Sequence, residues 1–198
     1  MRVGKKQKQL KTGKDDARTW RDIVFWRDLL LYFLVFSYIG HFIEMGWAWV
    51  NYNLLGGELL TNILHNPFEP YTIYGAGAVV IILVVRPLVK KFDHNILATF
   101  LIATLACAVL ECVSSMFLVW RYGHNPYWWY ADKLLNFGGH ICLQNSLAFG
   151  VLATVFLRVI YPWTEKLLRR GNQIAINVAL AILIVMIGSY YIMQALAL

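Results

Sequence analysis

The chain has 198 residues, 59% of them hydrophobic and 15% charged, with a formal net charge of +7. That balance excludes an ordinary soluble domain, whose surface needs more charge than long apolar runs leave room for. Nucleic acid is not the expected partner either: nine of the 18 Lys and Arg fall in residues 1–27 and most others sit at the ends of apolar runs, where orientation signals belong.

Residues 1–28 read as a basic cytoplasmic tail, with Arg2, Lys5, Lys6, Lys8, Lys11 and Lys14 ahead of Asp15 and Asp16. It is too long and too charged for the n-region of a cleavable signal. An interfacial helix is expected at Thr19–Arg27, anchored by Trp20 and Trp26 on anionic headgroups. Residues 29–198 read as one polytopic membrane domain.

Five apolar runs in that domain are long enough to span. The first is Leu29–Val50, interrupted by His41 and Glu44. The second is Tyr71–Val89, with Gly75 and Gly77 near its start and Arg86-Pro87 near its end. The third is Ile96–Val119, carrying Glu111, Ser114 and Ser115. The fourth is Gly139–Tyr161, stopped by Pro162, and the fifth is Ile174–Leu196. Between the first two, Leu54–Leu64 reads as a short interfacial helix or re-entrant piece, followed by the turn-rich His65–Pro70. The expected fold is therefore an all-α integral membrane bundle of about five helices, with the lipid bilayer as its first partner. Cys107, Cys112 and Cys142 all fall inside spans and read as small packing residues rather than a disulfide framework.

Counting Lys and Arg sets the orientation. The tail, the connection after the second span and the end of the fourth hold all but Arg121 and Lys133. The N-terminus is then expected in the cytoplasm and the C-terminus outside, as five crossings require. The outer connections are aromatic, most densely at Tyr127-Trp128-Trp129-Tyr130. A belt at the membrane interface explains most such residues. This cluster reads beyond that as a lid over the outer surface or as a stacking platform for a ligand.

Depth brings the costly polar residues together. Glu44 lies about 15 residues above Leu29, and Glu111 the same above Ile96, so both sit roughly 22 Å up at 1.5 Å per residue. The fourth span runs the other way, which places His140, Gln144 and Asn145 in its outer turns. All fall in the outer third of a hydrocarbon core of about 30 Å, where polar groups usually face protein or water. The binding candidates are Glu44, Glu111, His140, Gln144, Asn145, His41, Trp128 and Tyr74. His140 and Gln144 read equally as groups that hydrogen-bond a neighbouring helix, and His41 with Glu44 as a self-satisfied pair. Glu111 is the sharpest candidate, having no basic partner nearby in sequence. Two His and two Glu at one depth also suit a metal, but no H-E-x-x-H or adjacent ligand set is present, so no metal, cofactor or catalytic residue is assigned.

Several stretches in order carry a resemblance. Asn66-Pro67-Phe68-Glu69-Pro70 precedes Ile73-Tyr74-Gly75-Ala76-Gly77-Ala78; Leu110-Glu111 runs through Ser115 to Leu118; the aromatic connection leads to Asn136-Phe137-Gly138-Gly139-His140-Ile141-Cys142-Leu143; and Val159-Ile160-Tyr161-Pro162 closes the fourth span. Over residues 30–163 the chain resembles the bacterial membrane family named putative ABC-transporter type IV, or putative ABC transporter permease, with Glu44 also matching. It departs in a turn two residues longer before Ile73, in Trp129 or Tyr130 where the family carries an aspartate, and in His140 where it carries an arginine. A ligand that depends on that arginine loses its contact here; His140 offers a neutral or pH-dependent donor instead. The resemblance implies a transport subunit of the bacterial inner membrane. With no G-x-x-x-x-G-K-[ST] motif, the chain would need a separate ATPase on the cytoplasmic side. The function expected is permease-like capture of a small substrate at an outward-facing polar pocket. The alternatives are a scaffold or regulator without transport and an intramembrane metal-dependent enzyme.

Overall fold

The computed structural model describes residues 21–54 and 69–196. The tail up to residue 20, most of the expected re-entrant piece and all of the following turn but Glu69 and Pro70 lie outside the described residues. Five helices are long and apolar enough to cross a membrane: α1 (Ile23–Leu54), α2 (Thr72–Lys90), α3 (Ile96–Tyr122), α4 (Leu143–Arg170) and α5 (Gln173–Leu196). The protein is an all-α polytopic membrane protein. Helices are what the solvent demands, because hydrocarbon offers no partner for a free N–H or C=O. α1 is longer at both ends than the sequence suggested, running back through Ile23–Arg27.

Local chemistry sets several ends. The Asn95 side chain accepts from the Leu97 and Ala98 N–H groups at 2.9 and 3.1 Å and caps α3. Gly123, at φ 78°, ends it in the left-handed conformation. Asn172 caps α5 in the same way, accepting from Ile174 and Ala175. With only Gly171 and Asn172 between them, α4 and α5 must run antiparallel.

Pro162 does not stop α4, contrary to expectation. A proline inside a helix removes one N–H and drives its ring against the carbonyl four residues back. Here a π turn, Phe156–Ile160, precedes the proline, and the Tyr161 N–H bonds the Phe156 carbonyl five residues back. α2 repeats the device: π turn Ile81–Val85, Arg86 N–H to Ile81 carbonyl, then Pro87. The wider turn takes up the ring, and the helix continues.

α1 packs along the first half of α2, α3 packs along α4, and α2 joins the two pairs through α3. Glycines let the pairs close. A Cβ on Gly75 would strike the Phe33 carbonyl oxygen and the Ser37 hydroxyl, and one on Gly150 would strike the Thr104 side chain. α5 stands at the edge against α1, where the Arg27 guanidinium donates to Gln173 Oε1 at 2.9 Å and Asn177 Oδ1 at 3.2 Å. None of its described residues is buried, which in lipid costs nothing because its apolar side chains meet acyl chains.

Burial divides the bundle lengthwise. Around the two π turns the core is apolar and aromatic, built from Tyr32, Ile82, Val85, Phe156 and Tyr161. Towards the other end the buried residues include the polar Ser37, His41, Glu111 and Ser115. The α3–α4 connection closes over that polar end. It contains a two-stranded hairpin, β1 (Asn136–Phe137) and β2 (Ile141–Cys142), paired Asn136 to Cys142 and Phe137 to Ile141. Gly138 and Gly139 make its turn at φ 59° and 78°. α4 consequently starts at Leu143 rather than Gly139, and His140 belongs to the hairpin instead of a helical turn.

Candidate functional site

Five side chains from five parts of the chain meet at the polar end. Glu44 comes from α1, Tyr74 from the first turn of α2, Glu111 from α3, Tyr130 from the connection and Asn145 from the first turn of α4. The Tyr74 hydroxyl donates to Glu44 Oε1. The Tyr130 hydroxyl donates to Glu111 Oε1 at 3.0 Å and accepts from Asn145 Nδ2 at 2.5 Å. Each carboxyl group is thus met by a tyrosine hydroxyl, a neutral donor, and neither makes an ion pair among the described residues.

Glu111 is 3% exposed, and its second oxygen, Oε2, has no hydrogen-bond partner among the described residues. A buried acceptor left unsatisfied costs about 1–3 kcal/mol, more when charged, so its retention calls for an account. Tyr74 and Glu111 both line a cavity of about 220 Å³ between α1, α2, α3 and α4. Its other walls are almost wholly apolar, including Phe36, Ile73, Leu110 and Phe149. The sequence suggested a polar pocket; the structure gives an apolar one with a carboxyl group at its edge.

Three tyrosines outside the spans, Tyr71, Tyr127 and Tyr130, have hydroxyls held above their ordinary pKa. Burial raises Tyr130, and the adjacent Glu111 charge adds to it, so it stays a donor. Burial pushes Tyr71 up to about 12, with Glu69 contributing.

A second network adjoins the first, four residues further along α3. Ser115 Oγ lies 2.9 Å from His140 Nδ1, and Asn125 Nδ2 donates to Ser115 Oγ at 2.8 Å. Asn125 Oδ1 accepts from the Tyr127 and Trp128 N–H groups, turning the connection inward. The Trp128 indole N–H donates to the His140 carbonyl at 3.2 Å, and the Trp129 ring meets the His140 imidazole edge-on at 5.3 Å. The aromatic cluster therefore pins the connection down over the bundle.

Glu44, Tyr74, Glu111 and Asn145 accordingly fall in one cluster, while His140 and Trp128 fall in the network beside it. Gln144 is exposed, one position off the inward face that Asn145 and Ser146 occupy. His41 is 1% exposed with its ring 5.6 Å from Tyr71, and its nitrogens have no partner among the described residues. It makes no hydrogen-bonded pair with Glu44, which turns to Tyr74 instead. Tyr130, Ser115 and Asn125 were not among the sequence candidates. Asn125-Pro126 in an aromatic stretch was a turn signal; nothing local marks Tyr130 out from its neighbours. Among the described residues no three His, Cys, Asp or Glu are grouped closely enough to hold a metal ion.

Tyr130→Phe removes one hydroxyl that joins α3, the connection and α4. A loss of about 1–2 kcal/mol is expected, from two severed bonds, one to the buried Glu111 and one to the half-buried Asn145. Thermal unfolding of the purified protein in detergent checks it, with Tyr122→Phe at an exposed position as the control.

The family model described as Putative ABC-transporter type IV matches residues 31–194. The match runs past the end of the resemblance at residue 163 and takes in nearly all of α5. No curated protein and no solved structure matches the chain.

Proposed function

The chain belongs to the Putative ABC-transporter type IV family, and from that premise we propose that it is a permease-like membrane subunit that captures a small substrate in the cavity beside Glu111. The observation that carries this reading is Glu111 itself, a lining residue of an otherwise apolar cavity whose Oε2 makes no hydrogen bond among the described residues. A ligand matched to it has a compact apolar body and one ammonium or other hydrogen-bond donor. The body fills the cavity, and the donor satisfies the oxygen left open. The Tyr74 hydroxyl holds Glu44 and the Tyr130 hydroxyl holds Glu111, so both carboxyl groups are positioned before a ligand arrives.

The Lys and Arg distribution supports placing the N-terminus and the Arg86 end of the bundle in the cytoplasm of a bacterial cell, with the α3–α4 connection outside. The cavity then lies nearer the outer surface, under the connection fastened by Trp128 and Asn125. The basic tail of residues 1–28 and the inner ends of α2 and α4 would face a separate ATPase, which the absence of a phosphate-binding loop requires. A second reading, a scaffold or regulator, is favoured by the hydrogen bonds that most of the polar cluster makes internally. Purification from its native membrane under mild detergent separates the two. Recovery with a nucleotide-binding ATPase is the expected result; recovery alone, or only with an unrelated complex, contradicts the transport reading.

A further inference from the structure

At the opposite end of the bundle from Glu111, the inner ends of α2, α3 and α4 enclose a cleft of about 380 Å³. Arg86, Lys90, His94 and Arg158 line it, and Glu165 is the one carboxylate among its described lining residues. Glu165 is already shared, lying 3.7 Å from the Arg86 guanidinium and 3.1 Å from that of Arg169. It therefore cannot neutralise the cleft. The Arg158 guanidinium donates to the His94 carbonyl, which fixes its position without cancelling its charge. Lys90 makes no hydrogen bond or ion pair among the described residues, and its side chain is exposed.

The backbone builds this cleft. Each π turn ends two residues before a proline, and the residues carried there are cationic: Arg158 within the turn of α4, Arg86 directly after that of α2. Arg86 is held flat, its guanidinium carbon 4.6 Å from the centre of the Tyr161 ring, a contact that orients the donors without supplying an anion. His94, two residues before α3, and Thr99 in its first turn line the same space. Phe92 and Trp163 are exposed and lie within two residues of the lining Lys90 and Pro162, the side chains expected where a bundle meets the headgroup layer.

We infer that this cleft is a binding site for a phosphate group, supplied by the headgroup of an anionic phospholipid or by a free phosphate. Three formal positive charges on Arg and Lys face one shared carboxylate, and guanidinium forks suit tetrahedral oxyanions. Basic pockets between membrane helices at the headgroup level take lipid phosphates for the same reason. The site stands apart from the Glu111 cavity and does not depend on the transport reading.

The test uses the full chain in neutral detergent, titrated with phosphatidylglycerol, with phosphatidylcholine or with inorganic phosphate, and read by native mass spectrometry and melting temperature. The double variant Lys90→Gln/Arg158→Gln removes two cations that do not hold Glu165. Lys166→Gln/Arg170→Gln removes two exposed charges from the same end of α4 outside the cleft. Phosphatidylglycerol is expected to bind and stabilise the wild type, with affinity about thirtyfold weaker in the cleft variant, at about 1 kcal/mol per basic residue, and little changed in the control. The same pattern with inorganic phosphate alone assigns the site to a soluble anion. Equal responses of wild type and cleft variant to every addition would overturn the proposal, as would an equal loss in the control.

Discussion

Glu111→Gln is expected to abolish selective binding of small amines while leaving the fold intact. The substitution keeps the shape and the carbonyl oxygen that accepts from Tyr130. It replaces the open Oε2 by an NH2 group, a donor where the proposed ligand brings its own donor. A hydrogen bond to a charged group contributes about 1.5–3 kcal/mol, so affinity should fall about tenfold to a hundredfold. Stability should hardly change, because the isosteric amide keeps the bond from Tyr130 and removes no other hydrogen bond among the described residues. A purely structural Glu111 predicts the reverse, loss of stability with no change in binding. Unfolding and ligand titration on the same two proteins distinguish these outcomes.

Gly75→Ala is expected to damage the bundle by the addition of a single methyl group. Its Cβ would meet the Phe33 backbone carbonyl and the Ser37 hydroxyl inside normal contact distance. The Ser37 hydroxyl donates to that same carbonyl at 2.7 Å, so neither obstacle can simply swing away. α1 and α2 must separate, and with them the Tyr74–Glu44 contact one residue along. Overpacking of this kind costs about 1–3 kcal/mol, and Gly75→Leu should prevent recovery of folded protein. Gly77→Ala is the contrast: its nearest neighbour would be Leu110 Cδ2 at 3.9 Å, and it should be tolerated. Thermal midpoints in one detergent decide the matter; equal midpoints for the two alanine variants would contradict the packing described.

The five crossings were legible because apolar runs of that length have few other uses, and hydropathy reads them without tertiary information. Glu44 and Glu111 were legible because a carboxyl group in such a run needs a reason. What escaped was backbone detail. Pro162 reads as the end of α4 in the sequence because the π turn that accommodates it leaves no mark on residue type. His140 was placed in a helix because Gly138 and Gly139 can open a helix or turn a hairpin, and only the pairing of Asn136 with Cys142 decides. Gln144 was counted with Asn145 on depth alone, yet adjacent helical positions point about 100° apart, and only one of them faces inward. Tyr130 was hidden for a different reason. It works at a distance of 19 residues from Glu111, and no periodicity connects a loop residue to a helix that far away.

The most direct test compares two small ligands of one shape and opposite polarity, cyclohexylmethylamine and cyclohexanecarboxylate, by their effect on the melting temperature of the purified full chain. The wild type should be stabilised by the amine and not by the acid, and Glu111→Gln should lose that preference. An amine response of the same size in both proteins, or none in either, would contradict the assignment of the Glu111 cavity as a binding site.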